Sequence, residues 1–219
     1  TRANITLKTS ASLTATLSML DQPPFQFATK AGQPVDIGEG RADLVTQLSL
    51  PLIPKVNVTD VTYSSTGKIR DLTSKVIVPG RSLTATSLDL EVSRQGLKLT
   101  GPGALDGAKF DVTYSLGFGP DQKGKSRVEG YVEISDEALH AFGVSLPPRT
   151  LQGSAQGALT LDLQKGEPGQ LRITSDLVGM AMSVPALGWR KGKDTKGDLA
   201  VEMRLGTDPE VTLLSLDAA

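Results

Sequence analysis

The sequence contains no cysteine, a single histidine and few aromatic residues, which make up 4% of its 219 residues. Without cysteine there can be no disulfide, no thiolate nucleophile and no cysteine-ligated zinc. His140 is the single histidine, so the chain can supply only one imidazole to a nucleophilic triad or to a metal site. We therefore expect no metal site and no cofactor, and apolar surfaces built mainly from Leu, Val and Ile.

The chain also lacks an excess of either charge and any long apolar run. It has 23 basic and 24 acidic residues, a net charge of −1, and these are spread along the sequence. That balance argues against a nucleic-acid surface. There is no run of 18 apolar residues and no signal peptide. Because the chain starts at Thr1 without Met and stops within a strand-like pattern, we expect it to be a piece of a longer protein.

One segment carries a convincing helix signal. Ser135 can serve as the N-cap, and the acidic Asp136 and Glu137 follow in the first turn, where the helix dipole favours negative charge. Gly143 is placed to end the helix. The sequence therefore predicts one short helix near 135–142.

Most of the remaining sequence has the two-residue period of β-strands. Ile5 to Leu20 alternates as a strand or a hairpin, and further strands are expected at Phe25 to Phe27 and Val56 to Ser64. The residues Ser65 to Lys68 are predicted to form a turn. Asp106-Gly107, between two alternating runs, is typical of a type I′ hairpin turn.

The spacing of these strands determines the expected fold class. About a dozen strands joined by Gly, Pro, Asp and Ser turns, without helices between them, predict an all-β, mainly antiparallel structure. We expect a twisted, curled sheet or groove-like β structure with one short helix near 135–142. The residues 1–219 would form a single elongated β region, with possible sub-halves 1–134 and 151–219 joined by the helix 135–142.

One stretch matches a phosphate-binding loop by its letters. Gly119 to Ser126 reads GPDQKGKS, which fits the pattern GxxxxGK[ST]. The chemistry of that motif requires a helix after the loop, whereas the residues that follow alternate like a strand. We interpret it as a charged hairpin loop. No pair of acidic residues has a spacing that indicates general acid–base catalysis. We therefore predict that the protein is not an enzyme.

A set of structural residues resembles a known family. The first run of these residues is Asp60-Val61, Gly67, Leu72, Val78-Pro-Gly-Arg81, Leu88, Leu97, Gly101-Pro-Gly103, Leu105-Asp-Gly107 and Phe110-Asp-Val112. The second run is Ile134 to Leu139, Ala141-Phe-Gly143, Leu146-Pro147 and Gly153, and the third is Ser175-Asp-Leu177, Gly179, Pro185, Gly188-Trp189 and Lys191. Their order and spacing resemble the YhdP-like members of the AsmA-like superfamily of bacterial envelope proteins. The resemblance covers most of the chain from about Gly40 onward.

The resemblance implies a location and a function. Such a protein would have an N-terminal helix in the bacterial inner membrane and a long periplasmic β structure. Its apolar groove would carry phospholipid, or another acyl lipid, towards the outer membrane. This chain would then be a non-enzymatic periplasmic segment of the conduit, without a nucleic-acid partner.

The aliphatic rows of the strands supply the candidate lipid-binding residues. The groove candidates are Leu88, Leu90, Leu97, Leu99, Phe110, Val112, Leu159, Leu161, Leu163, Met180, Met182, Leu199, Val201 and Met203. An ordinary closed β-sandwich, acting as a structural or interaction module in envelope assembly, has identical alternation. Periodicity does not distinguish a lipid groove from a closed sandwich. Some of these residues must belong to the hydrophobic core.

Overall fold

The computed structural model describes residues 1–22, 29, 34–55 and 60–218. It is mostly antiparallel β structure, which confirms the predicted fold class. The strands are β1 (Arg2–Ser12), β2 (Glu39–Pro51), β3 (Thr62–Ser74), β4 (Leu83–Ser93), β5 (Gly96–Leu105), β6 (Ala108–Gly117), β7 (Lys125–Ser135), β8 (Leu151–Gln164), β9 (Gly169–Ser175), β10 (Met180–Val184), β11 (Trp189–Lys191), β12 (Asp198–Leu205) and β13 (Glu210–Asp217). The helices whose bounds lie within the described residues are α1 (Leu13–Leu20) and α2 (Asp136–Ala141), with short 3-10 helices at Pro120–Gln122 and Pro185–Leu187.

The chain divides into two compact units. Unit 1 comprises Thr1–Gly103 and Ser115–Lys123, and unit 2 comprises Ala104–Tyr114 and Gly124–Ala219. This division differs from the predicted sub-halves 1–134 and 151–219. Helix α2 does not join two halves, because the strands on either side of it pair with each other inside unit 2.

In unit 1, strands β1, β2, β3 and β4 pair in sequence order, each antiparallel to the next. β1 and β2 are in register along their whole overlap, from Arg2 opposite Pro51 to Ser12 opposite Arg41. Since directly paired residues point to the same side of a sheet, this register sorts the alternating side chains onto two faces.

Helix α1 corrects the prediction of a strand or hairpin over Ile5 to Leu20. The strand ends at Ser12, whose side chain accepts a hydrogen bond from the backbone N–H of Ala15, and the helix occupies Leu13–Leu20. Leu13 and Leu17 lie four residues apart and both contact the hydrophobic core of unit 1. The apolar residues from Leu13 to Met19 fit the two-residue period of a strand, but Leu13 and Leu17 also fit one face of a helix. The helix forms because that face is buried against the core.

The predicted turn at Ser65 to Lys68 is also wrong, because β3 runs through it without interruption. The glycine that indicated a turn, Gly67, lies opposite Leu44 in the register of β2 and β3. A Cβ atom on Gly67 would lie 2.0 Å from the Asp43 carbonyl oxygen. Glycine at this position therefore allows a close approach of two backbones rather than a change of chain direction.

In unit 2, β8 is paired on either side by β7 and β9, and β9, β12 and β13 follow as antiparallel neighbours. β7 and β8 are joined through α2, whose N-cap Ser135 accepts from the Ala138 N–H. The predicted helix near 135–142 is confirmed. β10 pairs with the start of β8 and with β11.

The Asp106-Gly107 turn has the geometry predicted for it. β5 ends at Leu105 and β6 begins at Ala108. Asp106 has φ 50° and Gly107 has φ 91°, and the type I′ turn requires positive φ at both central positions. The strand predicted at Phe25 to Phe27 and the first part of the one predicted from Val56 lie outside the described residues.

Each unit has a small core at the end of the sheet that its helix covers. In unit 1 the buried cluster consists of Leu13, Ile69, Leu72, Ala85 and Leu88. In unit 2 it consists of Leu151, Ala155, Leu177 and Met180, with Leu139 of α2 packed against it. The remaining length of each sheet extends beyond these cores.

Candidate functional site

The strand register gives unit 1 one aliphatic face and one polar face. Ile5, Leu48 and Tyr63 form one cross-strand row, and Ala42, Ile69 and Leu88 form another. The aliphatic face of unit 1 consists of Ala3, Ile5, Leu7, Thr9, Ala11, Ala42, Leu44, Thr46, Leu48, Leu50, Tyr63, Ser65, Gly67, Ile69, Leu88, Leu90 and Val92. None of these residues is charged.

Unit 2 has the same division of side chains. Val128, Leu161, Leu171, Met203 and Val211 follow one another across five strands. At about 4.8 Å between strands, such a row extends over about 19 Å. The aliphatic face of unit 2 consists of Val128, Gly130, Val132, Ile134, Ala155, Gly157, Leu159, Leu161, Leu163, Leu171, Ile173, Leu199, Val201, Met203, Leu205, Val211, Leu214 and Leu216.

The aliphatic side chains of each face are buried in the core of the unit and most exposed on its outer strand, which is β1 in unit 1 and β13 in unit 2. In unit 1, Ala42 is 1% exposed, whereas Ile5 and Leu7 are 41% and 46% exposed. In unit 2, Met180 beneath the covered end is 1% exposed, and Leu214 on β13 is 70% exposed. Each face therefore has a covered end, which is core, and an open end, whose aliphatic side chains contact water.

The predicted groove residues are distributed between these two environments. Leu88 and Met180 are buried in the two cores, and Leu99 and Met182 are packed against them. Leu90 and Leu161 are half-buried on the open parts of their faces. Half-buried positions are also occupied by Leu97, Phe110, Val112, Leu159, Leu163, Leu199, Val201 and Met203.

Several residues of the open ends were absent from the sequence-based candidates. Ile5, Leu7 and Leu48 belong to unit 1, and Leu171 and Leu214 belong to unit 2. All except Leu214, which follows Leu213, alternate with polar neighbours, so for these four the local signal was present in the sequence. Only the pairing register shows that these residues share a face with the predicted ones.

The polar faces carry charged groups in pairs. Lys68 contacts Asp89 at 2.6 Å in unit 1, and Arg172 contacts Glu202 at 3.4 Å in unit 2. The hydrogen bond from the Ser10 hydroxyl lowers the pKa of Asp43, and Arg41 and Arg70 lower it further, against the opposing effect of desolvation. These exposed pairs keep one side of each sheet hydrated.

Lys191 is a charged residue buried within unit 2, with only 2% of its surface exposed. Its ammonium group donates to three backbone carbonyls, those of Leu177 at 2.7 Å, Met180 at 3.0 Å and Gly192 at 3.1 Å. All three protons of the ammonium group thus have acceptors. This lysine holds together the two loops beside the covered end, and apart from its place in the family resemblance no local pattern indicated that role.

The single histidine lies in a short chain of polar contacts on the surface. Its Nε2 atom is 3.7 Å from Oδ2 of Asp136, and its Nδ1 atom is 3.4 Å from Oγ of Ser145. The three residue types are those of a hydrolase triad, but all three are exposed. Water competes for each of these contacts, whereas a working triad orients its histidine through a buried acidic residue.

The phosphate-loop pattern lacks its helix, as the sequence predicted. Lys125 and Ser126 open strand β7, and the alternating residues after them continue as strand to Ser135. The backbone N–H groups of a helix N-terminus, which would hold phosphate, are therefore absent after this loop in the described chain.

Three further findings concern the described residues. None of their helices is long and apolar enough to cross a membrane. They contain no group of three or more His, Cys, Asp or Glu residues that could hold a metal ion. A shallow depression in unit 1, lined by residues 4–6, 47–49 and 62–64, contains no ionisable acid or base other than the phenol of Tyr63.

Comparison with known proteins gives no match. Family models, curated proteins and solved structures were each searched with this chain, and none of them matches it.

Proposed function

We propose that this protein binds acyl lipids on the open ends of its two aliphatic faces and forms part of a hydrophobic conduit for phospholipid. The observation that carries the proposal is the incomplete burial of continuous aliphatic rows, such as Val128–Leu161–Leu171–Met203–Val211, of which the first four residues are half-buried and Val211 is exposed, on sheets whose opposite faces are charged. A contiguous apolar surface that is not covered is typical of an interaction surface.

The chemistry of the rows fits a lipid chain. Transfer of one methylene group from water to an apolar surface contributes about 0.8 kcal/mol, so a chain needs only unspecific aliphatic contact along its length. The rows supply such contact through Leu, Val, Ile and Met. This mechanism requires binding but no bond breaking, in agreement with the expectation that the protein is not an enzyme.

The alternative of a closed β-sandwich would require the open ends to be covered. In a sandwich the inward-facing residues of both sheets are buried. Ile5 and Leu7 on β1, and Val211 and Leu214 on β13, are all more than 40% exposed. This exposure favours a lipid surface over a sandwich that acts as a structural or interaction module.

The family resemblance supplies the cellular setting of the proposal. We propose a periplasmic segment of a YhdP-like, AsmA-like envelope protein that is anchored in the bacterial inner membrane through another part of the full-length chain. In that setting the acyl lipid would be a phospholipid in transit between the inner and outer membranes.

The proposal is tested by measuring lipid uptake with variants matched by strand. Native mass spectrometry of the purified chain should reveal bound phospholipid, and a fluorescent fatty acid should bind to it. Leu161→Asp places a charge on the open end of unit 2 and should reduce the uptake strongly. Ala158→Asp places the same charge on the polar face of the same strand and should leave the uptake unchanged.

A second pair of variants repeats the test in unit 1. Leu90→Asp changes the aliphatic face, and Ser64→Asp changes the polar face. A parent chain that takes up neither lipid nor probe would refute the proposal. Equal loss of uptake in the aliphatic-face and polar-face variants would show that charge alone, rather than the aliphatic rows, governs binding.

A further inference from the structure

Two strands of the described chain have a neighbour on one side only. Among the residues that the structure describes, β1 pairs with β2 alone and β13 pairs with β12 alone. A strand edge of this kind presents backbone N–H and C=O groups that can pair with another strand. The two edges differ in charge, because β1 carries only the basic Arg2 and Lys8, whereas β13 carries only the acidic Glu210 and Asp217.

The charges of the two edges also match in position. The basic residues of β1 lie six positions apart. The acidic residues of β13 lie opposite Arg204 and Asp198 of β12, which are six positions apart as well. A register shift between Glu202 and Met203 accommodates the one extra residue of β13. The two edges thus have the same spacing of charges, with opposite sign, on their polar faces.

Three aliphatic side chains lie between the two charges of each edge, on the opposite face. Those of β1 are Ala3, Ile5 and Leu7. Those of β13 are Val211, Leu214 and Leu216. When the charges of the two edges are aligned, the central Ile5 faces the central Leu214 in either relative strand direction. Both side chains are exposed, so pairing of the two edges would remove apolar surface from water.

Lys8 determines which kind of strand can be added to β1. A lysine on an edge strand ordinarily opposes pairing with another strand. Lys8 is exposed and has no carboxylate partner among the described residues, and Asp217 at the other edge is exposed and has no basic partner among them. An acidic residue across from Lys8 would supply that partner. The lysine therefore selects an acidic strand instead of preventing every addition.

The other two charges have neutral or weak partners. Arg2 donates hydrogen bonds to the Ser49 side chain and to the backbone carbonyls of Ser49 and Asp60, and these acceptors leave its positive charge uncompensated. Glu210 is 3.7 Å from Arg204, and both side chains are exposed. Because such an exposed pair contributes little, Arg2 and Glu210 can both act on an approaching strand.

We propose that copies of this chain associate head to tail, with β13 of one copy pairing along β1 of the next. Pairing of like edges is disfavoured, because two β1 strands would set base against base and two β13 strands would set acid against acid. The contact joins two different edges, so it can repeat from copy to copy until a ring closes. The inference goes beyond lipid binding and does not depend on it.

Sedimentation equilibrium of the delipidated 219-residue chain tests the association. The weight-average mass should rise above that of one chain as the protein concentration increases, because association follows mass action. The rise should be smaller at 0.5 M salt, where exposed charges are screened. A mass equal to that of one chain at every concentration would refute the proposal.

Two variants with reversed charges separate edge pairing from other association. Arg2→Glu with Lys8→Glu makes both edges acidic, and Glu210→Lys with Asp217→Lys makes both edges basic. Each variant alone should need about a tenfold higher concentration than the parent to associate, since two exposed attractive pairs become repulsive. An equimolar mixture of the two variants should associate like the parent, because each offers the other an edge of opposite charge.

A third variant controls for overall charge. Lys165→Glu with Lys193→Glu changes the net charge as much as the variant with two acidic edges, at exposed positions outside both edge strands. It should associate like the parent. Circular dichroism should show the same β spectrum for all variants, so that a loss of association is not a loss of fold.

The variants can overturn the proposal in three ways. Unchanged association of both reversed variants would assign it to the aliphatic faces instead of the edges. An equal loss in the control would assign it to overall charge. A mixture that does not recover association would show that the opposite charges do not meet across copies. None of these results bears on lipid uptake, which is measured separately on the parent chain.

Discussion

The covered and open ends of the aliphatic faces have similar sequences but different surroundings. In unit 1, Leu72 and Leu90 are both leucines on strands, yet Leu72 is buried in the core beside α1 and Leu90 is half-buried beyond it. In unit 2, the same contrast separates Met180 from Leu161. A leucine in a β-strand thus contributes to stability or to a binding surface according to what packs above it.

The largest expected effect is a difference in unfolding free energy between the two ends. Leu72→Asp buries a carboxylate and removes core packing, which should cost about 3–5 kcal/mol and unfold much of the protein. Leu90→Asp leaves its carboxylate hydrated and should cost about 1 kcal/mol or less. Urea unfolding followed by circular dichroism measures both. Equal costs would show that the open end is covered and would remove the contrast.

Lys191 provides a test of the covered end in unit 2. Lys191→Met keeps the length of the side chain but removes the donor to the carbonyls of Leu177 and Met180. Buried acceptors left without a donor cost about 1–3 kcal/mol each, so we expect a loss of about 2 kcal/mol or more. The exposed Lys193→Met is the control, with an expected change within about 0.5 kcal/mol. A similar small change for Lys191→Met would contradict the role assigned to its ammonium group.

The two helix caps allow the covered ends to be compared directly. Ser12→Ala and Ser135→Ala each remove the acceptor for one helical N–H, and each should cost about 1 kcal/mol in urea unfolding. Ser135 is buried, so its loss should be at least as large as that of the exposed Ser12. No measurable effect at Ser12 would mean that α1 is not held by its cap.

The smallest expected effect concerns pH and the polar face. The pKa of Asp43 in the folded protein lies below its ordinary value of 3.8. Its contacts therefore stabilise the protein above that value, and this contribution is lost as the pH falls through the lower, folded-state pKa. Asp43→Asn should make the urea midpoint less dependent on pH below about 4. An unchanged pH profile in this variant would show that Ser10, Arg41 and Arg70 contribute no net stability through Asp43.

The two helices show how far local sequence signals can be used. α2 begins after Ser135 with Asp136 and Glu137 in its first turn, so both cap and dipole indicate it. α1 has neither an acidic residue in its first turn nor a basic one in its last. Ser12 was a usable N-cap signal, but the spacing of Leu13, Ala15, Leu17 and Met19 satisfied a strand equally well.

Elements with a local signal could be predicted from the amino-acid sequence alone. Alternation of apolar and polar residues predicted most strands, because a two-residue period is a direct consequence of strand geometry. Asp106-Gly107 predicted its turn, because it is a favoured pair where two successive residues need positive φ. The predicted groove residues on β8 and β12 accordingly fell on one face.

Which of these aliphatic residues are core and which are open depends on the packing of distant segments and could not be predicted from local patterns. Leu88 and Leu90 belong to one strand and one face, but α1 and its neighbours bury the first and leave the second half-buried. Alternation in the sequence indicates which side of a strand a residue occupies. Its burial depends on which elements pack over that side, and those elements come from parts of the chain that are distant in sequence.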